Sequence, residues 1–394
     1  MSEFIPKSLC ISGRIKALGV AELESLYGAK HIKPIEQAVL LDIETNEIEF
    51  QRLGGTVKLA RILEVLPTTK WPVLEKYFIK NIPYHLEHLP NGTFTLGLSV
   101  YGLATPVQTI TRSLMKIKKE VRATGRSMRI VPNKTPGLNS AQVLHNKLTS
   151  RGGWELLLVK HGNKTILAQT LFVQDIEAYA ARDQTRPKRD AKVGMLPPKL
   201  AQIIINLATP TSDSTILDPF CGSGVVLQEA ILMGYAVVGT DIEPRMVDYS
   251  KSNLEWLNAR HPDQKFKTVI NVADATKYRW AKKFETVASE IYLGTPFHSL
   301  PAVSTLNKII HEVDSLLLKF LKNIGSQIDS GFTLSLAIPA WRLADGRLAY
   351  LPILDRLTDI GYNYLDFKHA HRQQLIYFRE GQVVARQIIV IRKA

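Results

Sequence analysis

The 394-residue chain has little cysteine and no long apolar run, and both shortages exclude whole classes of protein. Its two cysteines, Cys10 and Cys221, exclude a disulfide framework or a cysteine zinc site within one chain, and they suit a reducing cytoplasm. No stretch approaches the roughly 20 consecutive apolar residues of a membrane span. The first residues, MSEFIPKSLC, lack the apolar core of a signal peptide. We therefore expect a cytoplasmic protein without a membrane segment.

Acidic residues are scarce relative to basic ones. The chain has 50 Lys and Arg against 36 Asp and Glu, which gives a formal net charge of +14. The excess is concentrated in residues 101–170, where the acids are Glu120 and Glu155. Such a concentrated basic stretch predicts a surface for nucleic acid, although a merely solvated basic face would have the same composition.

The chain has no internal repeat or low-complexity tract, and its patterns divide it into three regions. Residues 1–85 mix short apolar runs with one helical pattern, which predicts a small α/β unit. Weak turn signals at Pro83 and at 90–92 predict the end of this unit. Residues 86–180 predict strand, helix, strand, helix, strand, strand. Strands and helices alternate through 181–394, which predicts a mostly parallel sheet covered on both faces.

Two helices of the middle region carry specific expectations. The helix predicted at 107–121 has apolar residues at spacings of three and four and a basic opposite face. The second helix is expected to begin near Ser140 as its N-cap. The residues predicted to contact RNA phosphates are Arg112, Lys116, Lys119 and, just beyond them, Arg122.

A glycine-containing turn in the last region predicts a ligand site. Residues 218–224, DPFCGSG, follow a predicted strand and open a predicted helix, and glycines there let the backbone approach a ligand closely. The next strand ends in Asp241, which can accept hydrogen bonds from ribose hydroxyls. The third ends near Asp274, which can accept from an adenine amine. Capping of a helix or loop is the alternative role for both acids.

The identity of the cofactor follows from what surrounds the glycines. A nicotinamide fingerprint has a third glycine where this chain has Leu227. The acid ahead of the glycines, Asp218, suits a cofactor with a positive sulfonium and an amino group better than one with a pyrophosphate.

These segments resemble a known family. The run DPFCGSGVVLQEAILMGYAVVGTDIEPRMVDYSKSNLEWL is similar to the cofactor-binding half of the THUMP-containing tRNA guanine-N2-methyltransferases, which include enzymes acting on guanosine 10 of tRNA. The preceding stretch, 182–200, is similar to the family's lead-in to the cofactor pocket, and 139–147 is similar to part of a THUMP domain. The resemblance covers most of the chain, strongly over 170–260 and loosely over 1–85.

The resemblance implies an α/β fold class with three domains. These are an N-terminal α+β ferredoxin-like domain over 1–85, a THUMP RNA-binding domain over 86–180, and a doubly wound, Rossmann-like class I methyltransferase domain over 181–394. It implies S-adenosyl-L-methionine as cofactor and tRNA as partner, and it leaves open a small activating protein partner, as in the eukaryotic members. The residues expected to bind the cofactor are Met195, Leu196, Pro197, Asp218, Pro219, Phe220, Gly222, Gly224, Asp241, Ile242, Asp274 and Ala275.

The chain departs from the family at the reactive centre. Members carry Asp-Pro-Pro-Tyr or a close variant after the fourth strand, where the acid accepts from the exocyclic amine and the ring stacks on the flipped base. This chain has SEIYLG at 289–294, without either proline. Tyr292 aligns with the aromatic ring, Ser289 occupies the acid's place, and Glu290 is one residue out of register. The expected catalytic residues are Ser289 or Glu290 as acceptor, with Tyr292 as the stacking ring.

Three further segments were candidates for the site. Residues 295–298, TPFH, offer Phe297 as an alternative stacking residue, and Trp341-Arg342 either contacts substrate or closes the core. His369 and His371 are two apart, but no third ligand is evident and methyl transfer needs no metal. The favoured function is methylation of a guanosine amine in tRNA. The alternatives are an amino methyltransferase for rRNA or DNA, and a non-catalytic RNA-binding protein that keeps the cofactor fold.

Overall fold

The structure, a computed structural model, forms two compact units. It describes residues 4–86, 92–190, 195–262, 266–297, 299–379 and 381–394. The N-terminal unit consists of Met1–Arg14, Tyr27–Gln51 and Thr56–Ala178, and the C-terminal unit consists of Ile15–Leu26, Arg52–Gly55 and Tyr179–Ala394.

The described residues form strands and helices in the following chain order. The strands are β1 (Ser8–Ser12), β2 (Ile32–Pro34), β3 (Ala38–Leu41), β4 (Thr56–Leu66), β5 (Phe94–Tyr101), β6 (Met128–Ile130), β7 (Gly153–His161), β8 (Lys164–Val173), β9 (Thr215–Asp218), β10 (Ala236–Asp241), β11 (Thr268–Val272), β12 (Thr286–Glu290), β13 (Thr333–Arg342), β14 (Leu348–Ala349), β15 (Tyr362–Tyr364), β16 (Ile376–Tyr377) and β17 (Val384–Lys393). The α-helices are α1 (Lys16–Tyr27), α2 (Trp71–Leu86), α3 (Val107–Ala123), α4 (Ser140–His145), α5 (Ile176–Ala180), α6 (Pro198–Leu207), α7 (Val225–Leu232), α8 (Pro244–Arg260) and α9 (Val303–Gly325). Short 3₁₀ turns lie at Ala29–His31, Thr45–Glu47, Phe50–Arg52, Pro352–Arg356, Thr358–Ile360 and Arg372–Gln374, and a π-helical turn lies at Ala181–Thr185.

One sheet runs through the described part of the N-terminal unit, in the order β2-β3-β1-β4-β8-β7-β5-β6. The predicted order of elements in the middle region is confirmed as β5, α3, β6, α4, β7 and β8. The last two form an antiparallel hairpin, with His161 paired to Lys164. The predicted division into a ferredoxin-like and a THUMP domain stays a prediction, since strands from both regions share this sheet.

Two local expectations in the N-terminal unit were wrong. Pro83 was expected to mark a boundary, but it lies inside α2, which buries Phe78, Ile82 and Leu86. Burial of this apolar stripe continues the helix past a residue that cannot donate a backbone hydrogen bond. The N-cap of α4 is Asn139 rather than Ser140, because the Asn139 side chain accepts from the backbone N–H of Gln142 at 2.9 Å. Residues 90 and 91 of the second expected boundary lie outside the described residues.

The C-terminal unit is the predicted doubly wound α/β fold. Its strands follow the order β11-β10-β9-β12-β13-β17-β15. The first five are parallel to one another, and β17 is antiparallel to β13. The chain order reverses direction between β9 and β12, so their carboxyl ends form the crevice in which such sheets bind ligands.

Helices cover both faces of this sheet. Leu334, Leu336 and Ile338 of β13 share a core with α9, so they mark one face. The alternate residues Ser335 and Ala337 point to the opposite face. Three other helices, α6, α7 and α8, pack on one another as a layer. In this layer α6 contacts β12 and β13, α7 contacts β9 and β10, and α8 contacts β10 and β11.

Two segments from the beginning of the chain belong to the C-terminal unit. In α1, Glu22 is fully buried and accepts from the backbone N–H groups of Gly54 and Gly55, and from the side chain of Asn206 on α6. Arg52 donates to the Asn206 side chain as well, at 3.0 Å. These bonds anchor α1 and the 52–55 segment on the rest of the C-terminal unit.

The helices of the described residues are all too short or too polar to span a lipid bilayer.

Candidate active site

The turn after β9 has the geometry that only glycine adopts readily. Gly222 and Gly224 have φ angles of 50° and 82°, in the left-handed region. A Cβ on Gly224 would also lie 2.9 Å from the hydroxyl oxygen of Ser250 on α8. Both predicted glycines are therefore required by the backbone path that leads from the strand into α7.

Asp241 holds this glycine turn in place. Its Oδ2 accepts from the backbone N–H of Gly222 at 2.8 Å, and its Oδ1 accepts from the N–H of Glu243 at 3.0 Å. Burial raises the pKa of the Asp241 carboxyl, and these backbone N–H groups act in the opposite direction. Each carboxylate oxygen has a second lone pair, so capping the turn leaves acceptor capacity for a ligand.

A cavity that opens to solvent lies beside the glycine turn. Of the residues predicted to bind the cofactor, those that line it are Met195, Leu196, Asp218, Phe220 and Gly222. Asp190, Cys221, Ser223, Val225, Val226 and Met246 line it without having been predicted. Residues 191–194 of the predicted lead-in lie outside the described residues.

The remaining predicted cofactor residues are not among those that line the cavity. Pro219 and Gly224 belong to the same turn, Pro197 is the N-cap of α6, and Ile242 is largely exposed next to Asp241. Ala275 is buried in the core that also contains α9.

Asp274 caps its own loop. Its Oδ1 accepts from the backbone N–H and the hydroxyl of Thr276, at 2.9 and 2.7 Å, and Oδ2 lies 3.4 Å from the Lys277 ammonium. The hydroxyl of Thr276 contributes most to lowering the pKa of Asp274. These bonds match the capping role given above as the alternative, and contact with an adenine amine stays a prediction.

Acidic side chains lie at and around the cavity. Asp218 is buried at the end of β9, and its Oδ1 accepts from the hydroxyl of Ser289 at 2.6 Å. Burial raises the pKa of Asp218 to about 7, and the nearby Asp241 and Glu290 raise it further. Three acids around one small cavity favour a ligand that carries positive charge.

The structure separates the two candidate acceptors at the end of β12. Ser289 is fully buried and its hydroxyl is bonded to Asp218, which does not fit the predicted contact with a substrate amine. Glu290 lines the cavity and keeps 17% of its side chain exposed. The parity of the strand explains the difference, because successive side chains point to opposite faces.

Tyr292 and the alternative stacking residues differ in exposure. Tyr292 is 43% exposed two residues beyond Glu290, whereas Phe297 is partly buried against the core around α9. Trp341 is buried in that core, and Arg342 lies over the ring of Phe378 at 5.3 Å. His298 lies outside the described residues. Tyr292 is thus the more accessible ring near Glu290.

The charged partner of Glu290 was missed from the sequence. Arg386 of β17 is buried, and its Nε donates to Oε1 of Glu290. A sequence signal for it exists, because residues 384–391, VARQIIVI, form an apolar strand interrupted by one arginine. A cation in a strand that patterning predicts to be buried requires an acidic partner.

The predicted RNA-binding residues lie together on the exposed side of α3 in the N-terminal unit. They are Arg112, Lys116, Lys119 and Arg122. Lys116 forms an ion pair with Glu75 of α2 at 2.9 Å. The opposite side of α3 buries the predicted stripe of Ile110, Leu114, Ile117 and Val121.

The two histidines considered as metal ligands have other roles. The backbone N–H of His369 donates to Glu24 of α1, and the His371 side chain caps the 3₁₀ turn at Arg372–Gln374. Across the described ranges, no group of three His, Cys, Asp or Glu side chains is placed to hold a metal ion.

Comparison with known proteins agrees with this site. Residues 186–315 match the family model described as an RMKL-like methyltransferase domain. A tRNA (guanine(10)-N2)-dimethyltransferase from Pyrococcus abyssi is 42% identical over 103 residues, which cover 25% of this chain and 29% of the relative. One from Methanothermobacter thermautotrophicus is 40% identical over 105 residues, covering 26% of this chain and 30% of the relative. The matched region thus spans less than a third of the length of these relatives.

Two solved structures share the fold over almost the whole chain. TrmN from Thermus thermophilus has a TM-score of 0.52 at 16% identity and covers 98% of this chain and 99% of its own. A possible methylase from Clostridium difficile has a TM-score of 0.50 at 11% identity, with 98% of each chain covered. The glycine turn and the residues that line the cavity all lie within 186–315, the segment that is similar to the RMKL-like methyltransferase domain.

Proposed function

We propose that this protein is an S-adenosylmethionine-dependent methyltransferase that modifies the exocyclic amine of a guanosine in tRNA, at position 10, in the cytoplasm. The observation that carries the proposal is the position of Glu290. Its carboxylate lines the same cavity as the glycine turn, so a cofactor beside Gly222 and an amine on Glu290 would meet at one place. Methyl transfer requires that juxtaposition more than any other feature.

The cavity suits the cofactor in charge and in surface. Asp218 and Glu290 line the cavity, and a positive sulfonium would favour their ionised forms. Asp241 stands at the end of the neighbouring strand to accept from ribose hydroxyls. Met195 and Phe220 supply apolar walls. When bound, S-adenosylmethionine supplies a methyl group that its sulfonium has already activated.

The relatives and the charge distribution support tRNA as substrate. The curated relatives that match this domain are named as tRNA (guanine(10)-N2)-dimethyltransferases. The basic excess of residues 101–170 falls in the N-terminal unit, where an RNA phosphate backbone would add favourable charge contacts.

Glu290 and Tyr292 act on the base in this proposal. The Glu290 carboxylate accepts an N–H of the guanine amine, which orients the nitrogen lone pair and places a proton acceptor for the methylated nitrogen. The Tyr292 ring stacks on the base once it has left its helix. Alignment of a neutral amine supplies most of the acceleration, so the residues need no stronger nucleophile.

The direct test is methylation of an unmodified tRNA transcript with S-adenosylmethionine, followed by mass spectrometry of its nucleosides. N2-methylated guanosine should form on the parent transcript and should be absent when adenosine replaces the guanosine at position 10. Transfer to rRNA or DNA in place of tRNA would support the alternative substrates. Binding of cofactor and tRNA without any transfer would support a non-catalytic RNA-binding protein.

Asp241→Ala should weaken S-adenosylmethionine binding about 10- to 150-fold. The estimate corresponds to the loss of about 1.5–3 kcal/mol for a hydrogen bond to a charged group, at about 1.4 kcal/mol per decade. Isothermal titration calorimetry measures the change. Asp248→Ala, which removes an exposed carboxylate from α8, is the matched control. Because Asp241 also holds the glycine turn, a second variant, Asp241→Asn, is needed, which keeps one acceptor oxygen for the turn. Unchanged S-adenosylmethionine affinity in both folded variants would place the ribose elsewhere.

Replacing Arg112, Lys119 and Arg122 together by Ala should weaken tRNA binding and flatten its salt dependence. Each lost phosphate contact should reduce the slope of log K against log salt by about 0.7–0.9. Filter binding between low and moderate salt gives the slope, while cofactor affinity should not change. The charge-matched control replaces the exposed Lys308, Lys319 and Lys322 of α9. An unaltered slope in the α3 variant would identify that face as a solvated surface only.

A further inference from the structure

The Glu290–Arg386 ion pair joins two strands that are not neighbours. In the sheet, β13 lies between β12 and β17. Glu290 is in register with Ala337 of β13, and Arg386 is in register with Pro339. All four residues share one face, because Ala337 and Pro339 are two apart on the same strand. The short side chains of β13 let the arginine reach across to the carboxylate.

The pair is costly as a purely structural contact. Arg386 is 4% exposed, so its charge has left water almost completely. Well-packed apolar side chains in place of a buried ion pair are often neutral or stabilising. This pair adjoins the cavity that contains the proposed reaction, at the carboxylate proposed to receive the amine. The desolvation cost of the ion pair therefore falls at the place where a fixed, ionised acceptor is useful for the proposed reaction.

We propose that Arg386 is the positioning residue of the reactive centre, which holds the Glu290 carboxylate ionised and in one orientation toward the substrate amine. The inference rests on the proposed function and deepens it, since it selects a substrate that donates a hydrogen bond at the reacting nitrogen. Arg386 acts through Glu290 and does not itself touch the base.

The charges around Glu290 give this arrangement a pH signature. Burial raises the pKa of Glu290, and Arg386 is the group that lowers it. Asp218 of β9 interacts electrostatically with Glu290 and with Asp241 of β10. Both neighbours are acids. Without the guanidinium, Glu290 would stay protonated to higher pH, and a protonated carboxyl presents a hydroxyl in place of an acceptor.

The test compares Arg386→Met with Arg392→Met, an exposed arginine on the same strand, in single-turnover methylation of bound tRNA from pH 6 to pH 9. We expect Arg386→Met to react about tenfold more slowly than the parent at pH 7, which corresponds to about 1.4 kcal/mol of activation free energy. Its rate should recover toward the parent's as pH rises, so the acidic limb of the pH–rate profile shifts to higher pH. Affinity for the cofactor product S-adenosylhomocysteine should change little, and Arg392→Met should match the parent throughout.

Arg386→Lys guards against a variant that fails to fold. It keeps the charge and loses the rigid planar fork, so its acidic limb should stay near the parent's while its rate falls. A loss of rate that is equal at every pH in Arg386→Met, or a parental rate in either variant, would overturn the positioning role. If the parent itself transfers no methyl group to tRNA, the proposed function fails and the inference fails with it. An active parent with a pH-independent defect in the variant rejects the inference alone.

Discussion

Glu290→Ala should slow methyl transfer to tRNA about 10- to 150-fold while the chain still binds S-adenosylmethionine. The variant removes the acceptor for a buried amine, and a hydrogen bond to a charged group contributes about 1.5–3 kcal/mol. Glu290→Gln keeps one acceptor oxygen without the charge, so its loss should be partial. Single-turnover reaction of preformed enzyme–tRNA complex separates this defect from any change in binding.

The controls for Glu290 use other side chains of the same region. Glu312→Ala removes an exposed carboxylate from α9 and should react like the parent. Ser289→Ala should retain most of the activity, because the Ser289 hydroxyl is buried against Asp218 and does not face the amine. Tyr292→Ala should lose about tenfold or more, since stacking of a base on an aromatic ring is worth about 1–3 kcal/mol. Full activity in both Glu290→Ala and Tyr292→Ala would move the reactive centre toward Phe297.

The glycine turn could be predicted from sequence because its requirements are local. Gly222 and Gly224 need left-handed backbone within a few residues of a strand end, and Asp241 follows at the end of the next strand. The alternation of strand and helix through 181–394 is likewise a short-range pattern, and it predicted the parallel sheet of β9–β13 correctly.

The choice between Ser289 and Glu290 could not be made from sequence. Aligning Tyr292 with the family's aromatic residue placed Ser289 at the acid's position. In the structure the hydroxyl of Ser289 donates to Asp218, 71 residues earlier in the chain. The partner of Glu290 is equally distant, since Arg386 follows it by 96 residues. Both contacts depend on neighbours that the sheet brings together, which a single sequence does not identify.

The membership of α1 in the C-terminal unit is another long-range result. The sequence pattern placed residues 16–27 inside a region of short apolar runs, and nothing local separates them from it. Their assignment depends on Glu22, whose fully buried carboxyl bonds to Asn206, and on Glu24, which accepts from the backbone N–H groups of Lys368 and His369. Burial raises the pKa of Glu22 to about 7. Buried acids in an otherwise apolar helix need distant partners, which a single sequence does not identify.

The N-terminal unit contains its own buried charge pair. Lys58 of β4 donates to the Glu155 carboxylate of β7 and to the backbone oxygen of Leu138 at 2.7 Å. Glu155 also accepts from the hydroxyls of Ser99 at 2.5 Å and Thr170 at 2.7 Å. Both charged side chains are almost completely buried. The four bonds tie four strands of the sheet, β4, β5, β7 and β8, to the segment that precedes α4.

Lys58→Met should destabilise the N-terminal unit by about 3–5 kcal/mol, because it leaves the Glu155 carboxylate buried without its counter-charge. At about 2–4 °C per kcal/mol, its melting transition should fall by about 6–20 °C. Calorimetry with S-adenosylhomocysteine resolves the units, since the ligand raises only the transition of the unit that binds it. Lys164→Met, an exposed lysine of β8, is the control and should melt like the parent. If tRNA binding is lost at temperatures above the lowered melting transition while ligand affinity is retained, RNA binding belongs to the N-terminal unit. An unchanged melting curve would show that the hydroxyl partners of Glu155 are enough to stabilise its buried carboxylate.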